Sequence, residues 1–68
     1  MKIGDAVLAW RKRRAWTQRQ LAEKAGMQHG NICRIERGNC EPRPTTIHRL
    51  AEALDVTVEE LQRGKVGR

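Results

Sequence analysis

The sequence predicts an all-α fold, a compact bundle of five short helices that contains a helix-turn-helix. Three observations predict it. Apolar residues recur at spacings of three and four along nearly the whole chain, as a buried helical stripe requires. Two capping boxes, Thr17 to Gln20 and Thr57 to Glu60, mark helix starts. Gly26 and Gly38 fall where a left-handed residue ends a helix. The chain has 68 residues, enough for one core. At that size only about 60% of the unfolded surface is buried, so modest stability follows. Residues 1–63 are expected to form the domain and 64–68 a frayed, flexible tail.

Ile3, Val7 and Trp10 mark a first helix over about residues 3 to 14, ending in the basic tract Arg11-Lys12-Arg13-Arg14. The next helix starts after Thr17. Trp16 before the cap and Leu21 after it form a hydrophobic staple that sets the angle of entry. Leu21, Ala22 and Ala25 give this helix a thin apolar face, and Gly26 ends it. Met27 reads as a core residue under the turn. A third helix runs from about Gln28. Ile32 and Ile35 form its inner face, Gly38 closes it, and His29, Asn31, Cys33 and Arg34 are left pointing outward with no core role. An outward row of polar side chains on a helix is what a DNA major groove accepts. Asn39 to Pro44 is a loop held by two prolines, with Pro44 suited to the first turn of a fourth helix. Ile47, Leu50, Ala51 and Leu54 are that helix's stripe. Val58 and Leu61 belong to a short fifth helix.

The runs Thr-Gln-x-x-Leu-Ala-x-x-Ala-Gly at 17 to 26, Ile-x-Arg-Ile-Glu-x-Gly at 32 to 38, Pro42 in the loop and Leu-Ala-x-Ala-Leu-x-Val at 50 to 56 resemble the XRE type of helix-turn-helix, the family of phage repressors and Cro. The resemblance extends from Ile3 to Leu61. It implies a sequence-specific DNA-binding regulator, most simply a repressor whose recognition helix, about residues 28 to 37, enters the major groove of a palindromic operator. Gln28, His29, Asn31 and Arg34 take the positions that read base edges in the family. Arg34 stands out among them, because arginine presents a bidentate fork matched to guanine O6 and N7; a solvated salt-bridge partner is its plainer alternative. Gln28 stands where the family usually places a Ser or Thr cap, which suggests poor capping and reach toward DNA.

Gln18 takes the position of a glutamine that bonds a DNA phosphate in the family, and free N–H groups at its helix N-terminus offer a physical reason as well. Its plain alternative is an exposed first-turn residue. Arg14, Arg19, Arg37 and Arg43 complete the expected phosphate contacts. For the tract Lys12 to Arg14 a solvated charged face is the plainer reading, and a nuclear localisation signal a third. The resemblance also pairs Arg11 with Glu36 as a partly buried ion pair. Gly30 departs from the family pattern, which usually has a small side chain there. It either loosens the helix or lets the backbone approach DNA more closely. Dimer contacts are expected from Val58 and Leu61, with Val66 beyond them, in the region through which relatives pair. Leu61 also fits the inner stripe, which makes Val58 the better contact.

Fourteen Lys and Arg against eight Asp and Glu give a net charge of +6, suited to double-stranded DNA and nearly as well to an anionic membrane surface. No apolar run approaches the roughly 20 residues of a membrane span, and the N-terminus lacks the apolar stretch of a signal peptide. A cytoplasmic protein with reduced cysteines is expected. His29 and Cys33 lie one turn apart with Cys40 and His48 downstream, yet no CxxC or HxxxH spacing supports a metal, and no cofactor is called for. The sequence has no serine, no nucleophile with a nearby base, no phosphate-cradling loop and no paired carboxylates, so no reaction or small-molecule substrate is assigned. The alternative to a regulator is a protein-interaction module, such as an antitoxin whose DNA contacts are secondary.

Overall fold

The computed structural model describes residues 3–63. They form α1 (Ile3–Arg13), α2 (Gln18–Ala25), α3 (His29–Arg37), α4 (Pro44–Leu54) and α5 (Val58–Arg63), and no strand occurs among them. The tail 64–68, with Val66, lies outside the described residues.

The helix starts follow from local chemistry. Thr17 is extended and accepts from the Gln20 amide, while the Gln20 side chain accepts from the Thr17 N–H. Thr57 and Glu60 make the same reciprocal pair ahead of α5. Each box satisfies N–H groups that would otherwise have no partner in the first turn. Pro44 opens α4, where its missing N–H costs nothing. Gln28 precedes α3 without any side-chain capping bond.

The first four helices end in one way. A left-handed residue follows each: Ala15 (φ 61°), Gly26 (φ 68°), Gly38 (φ 78°) and Asp55 (φ 61°). The next N–H then reaches back five residues, from Trp16 to the Arg11 carbonyl, Met27 to Ala22, Asn39 to Arg34 and Val56 to Ala51. This is the Schellman closure. Trp16, Met27 and Val56 also fold back onto the core, as the apolar residue after such a turn commonly does.

Val7, Trp10, Leu21, Ala22, Ala25, Ile32, Ile35, Leu50, Ala51, Leu54 and Leu61 form the core, with Ile3, Trp16, Met27, Ile47 and Val58 half-buried against it. Two long-range contacts fix α1 in this frame. Trp10 donates its indole N–H to the Glu60 carbonyl on α5 (3.3 Å). At the other end of α1, a Cβ on Gly4 would run into the carbonyl oxygen of Ile35, so glycine lets α1 press directly on the last turns of α3.

Leu61 is a correction to the sequence-based expectation. It is wholly buried among the residues of its own core, because its position on α5 falls on the inward face, and so it offers no surface to a partner chain. Val58, half-buried, keeps a partly open surface.

Candidate nucleic-acid interface

α3 turns about 100° per residue, which sorts its side chains into three rows. Ile32 and Ile35 face the core. Gly30, Arg34 and Arg37 form the row farthest from them, and all three are exposed. His29, Cys33 and Glu36, at spacings of four and three, line the side toward α2. Asn31 lies on the opposite flank, exposed, and Gln28 is exposed just ahead of the helix. Among the described residues no carboxylate pairs with Arg34, Arg37, Arg19 or Arg43, and all four guanidinium groups are on exposed residues.

The row toward α2 is joined to it by a polar network. Arg11 on α1 holds the Glu36 carboxylate with two prongs, Nε to Oε2 at 2.7 Å and Nη2 to Oε1 at 3.1 Å, and gives Nη1 to the Trp16 carbonyl at 2.8 Å. The two side chains are 13% and 4% exposed. This is a covered, bidentate pair, in which loss of one partner strands the other charge. Glu36 also accepts from Gln18 Nε2 (2.9 Å). The Gln18 oxygen in turn meets His29 Nε2 (3.2 Å) and Cys33 Sγ (3.2 Å). Gln18 is therefore half-buried and joins α1, α2 and α3 through its neighbours. An amide nitrogen carries two hydrogens, and the second of Gln18 has no partner among the described residues.

Two side chains sit otherwise than the sequence suggested. Cys33 does not point outward free of contacts; it is half-buried and donates to Gln18. Arg14 was expected on a phosphate, but its Nε and Nη2 both bond the Leu54 carbonyl, at 3.0 and 2.6 Å. Two of the three guanidinium nitrogens are thus committed to closing the end of α4, where carbonyls lack helical partners. Lys24 lies over the Trp16 ring, 5.0 Å from its centre, a cation on an aromatic face. Gly30 needs no glycine for the fold: a Cβ there would meet nothing within 4 Å.

Among the described residues no cluster of His, Cys, Asp and Glu is arranged to hold a metal, and no helix is long and apolar enough to cross a membrane. Sequence reading missed Gly4, the cap made by Arg14, and the links from Gln18 to Glu36 and Cys33. The last had a signal: His29, Cys33 and Glu36 share one helix face by spacing alone.

Three repressors are similar to the chain. The competence pilus inhibition repressor of Acinetobacter baylyi is 39% identical over 61 residues, which is 90% of this chain and 56% of that protein. The immunity repressor protein of Bacillus phage phi105 is 38% identical over 61 residues, 90% of this chain and 42% of its own length. The HTH-type transcriptional repressor RghR of Bacillus subtilis is 42% identical over 60 residues, 87% and 44%. The chain thus spans about half the length of the curated relatives it matches. A family model described as a helix-turn-helix domain matches residues 3–64. With two helices meeting at the Gly26 turn and an exposed polar row on the second, the chain belongs to the helix-turn-helix domain family.

Proposed function

We propose that this chain is the DNA-binding unit of a transcriptional repressor, which seats α3 in the major groove of an operator. The observation that carries the reading is the exposed face of α3. Arg34 and Arg37 stand there without ion-pair partners among the described residues, flanked by His29 and Asn31, and a groove of base edges and phosphates supplies what that face lacks. Arg34, in the middle of the outward row, is the base reader, fitted to guanine O6 and N7. His29, Asn31 and Gln28 take the neighbouring edges. Gln18 brings its remaining amide hydrogen to a phosphate, with Arg19, Arg37 and Arg43 as further anchors. Arg14 is left out of this set, because its fork is already used on Leu54. The three similar repressors support the same reading. Two copies bind a palindrome, with their recognition helices about 34 Å apart in successive grooves.

Selection of bound sequences from a random DNA pool tests this. A defined consensus is expected, and a pool that enriches nothing would turn the reading toward a protein partner. On the selected site, Arg34→Ala should lose about 1 to 3 kcal/mol and relax the preference at one base pair. Gln18→Ala should weaken binding while leaving the preference at the base pair read by Arg34 unchanged, since a phosphate contact positions without reading. Binding is compared over single-base variants at one salt concentration. Equal losses on every variant for Arg34→Ala would remove it from base reading.

A further inference from the structure

We propose that Glu36, acting through Gln18, fixes His29 as the tautomer that carries its hydrogen on Nε2, so that Nδ1 is a hydrogen-bond acceptor and reads an exocyclic amino group in the major groove. The inference rests on the reading of α3 as a recognition helix and adds to it which chemical group His29 selects. It follows from a chain of forced choices. The Glu36 carboxylate, held by Arg11 through both oxygens, can only accept. The group that Gln18 turns toward it at 2.9 Å is therefore the NH₂ end, and the oxygen end faces α3. Amide ends are assigned by such partners. Cys33 Sγ, a thiol donor, meets that same oxygen, which agrees with the assignment. An amide oxygen cannot donate, so the His29 Nε2 lying 3.2 Å from it must. A neutral imidazole has one N–H. With it on Nε2, Nδ1 keeps its lone pair, and no group among the described residues donates to it.

In the major groove the donors are adenine N6 and cytosine N4, whereas guanine and thymine oxygens and purine N7 are acceptors. His29 so held bonds the amino groups and is refused by the acceptors. Glu36 and Gln18 are positioning residues in this scheme, and His29 is the residue that touches the base. Arg34, which can only donate, reads the opposite set. The two side chains together distinguish donor from acceptor at neighbouring places on one site.

The experiment has a DNA-free arm and a DNA arm. Long-range ¹⁵N–¹H spectra of the imidazoles in the free protein distinguish the tautomers. A signal with Nε2 protonated and Nδ1 bare is expected for His29, moving toward a mixture in Gln18→Ala while the second histidine, His48, stays unchanged. A predominant Nδ1–H form in the unaltered protein would overturn the inference whatever the protein binds. On the selected site, the base pair whose preference His29→Ala abolishes is then rebuilt with the amino group deleted, purine for adenine or pyrimidin-2-one for cytosine. Affinity should fall about fivefold for the unaltered protein and not for His29→Ala. A 7-deazapurine at the same pair should cost nothing. The inference fails, with operator binding intact, if the 7-deaza change is the costly one, or if His29→Ala alters no base preference. If no sequence is bound by the unaltered protein, the operator reading fails instead, and the base contact with it.

Discussion

At the scale of single residues, the covered charges decide most. Glu36 is 4% exposed and accepts three hydrogen bonds, two from Arg11 and one from Gln18. Arg11→Met leaves that carboxylate with Gln18 alone and should cost about 3 to 5 kcal/mol in denaturant melts. Adding Glu36→Leu removes the stranded charge and should recover part of the loss. A single mutant that loses under about 0.5 kcal/mol would mean that water, not Arg11, satisfies Glu36. Arg14 gives the complementary case. With two nitrogens on the Leu54 carbonyl, Arg14→Ala should lower stability by about 1 to 2 kcal/mol and leave the affinity of the folded protein for DNA unchanged. An affinity loss with unchanged stability would return Arg14 to the phosphate contacts. The difference between these two arginines was not legible in their shared basic tract. Arg11 was marked through a resemblance that supplied its partner, whereas the partner of Arg14 is a backbone carbonyl forty residues away, which carries no side-chain signal.

At the scale of helices, starts were legible and ends only half so, for a physical reason. A capping box is written in side chains three residues apart, so both boxes could be read directly. A Schellman closure is written in backbone conformation, and the residue type reveals it only when glycine is present. Gly26 and Gly38 did so; Ala15 and Asp55 adopt the same left-handed shape without it. The apolar residue one place later, Trp16 or Val56, was the available clue. The left-handed region costs an L-residue roughly 1 kcal/mol, so Ala15→Gly should raise stability by up to about 1 kcal/mol. The glycines inside helices divide the opposite way. Gly30→Ala should stabilise by about 1 kcal/mol, since its Cβ enters open space and alanine is the better helix former. Gly4→Ala should destabilise by about 1 to 3 kcal/mol, because its Cβ displaces α1 from the Ile35 carbonyl. Thermal melts of the three variants check the signs. A loss for Gly30→Ala would show that α3 needs glycine for its own backbone.

At the scale of the whole molecule, the size of the recognition element sets the requirement. α3 has nine residues, which at 1.5 Å per residue is about 13 Å of helix, the rise of only about four base pairs. So few positions recur too often in a genome to mark one site, and a second copy doubles the length read. The two-fold arrangement therefore predicts two chains per palindromic duplex at saturation. Its contact surface is narrower than the sequence suggested, because Leu61 is in the core and Val58 alone of the pair keeps partial exposure. Val58→Asp should then weaken binding to the full palindrome while leaving the affinity for an isolated half-site nearly unchanged. Sedimentation of the protein on the two duplexes, at fixed salt, measures both quantities. One chain per palindrome at saturation would sink the dimer. Two chains whose joint affinity ignores Val58→Asp would keep the dimer and move its contact off α5.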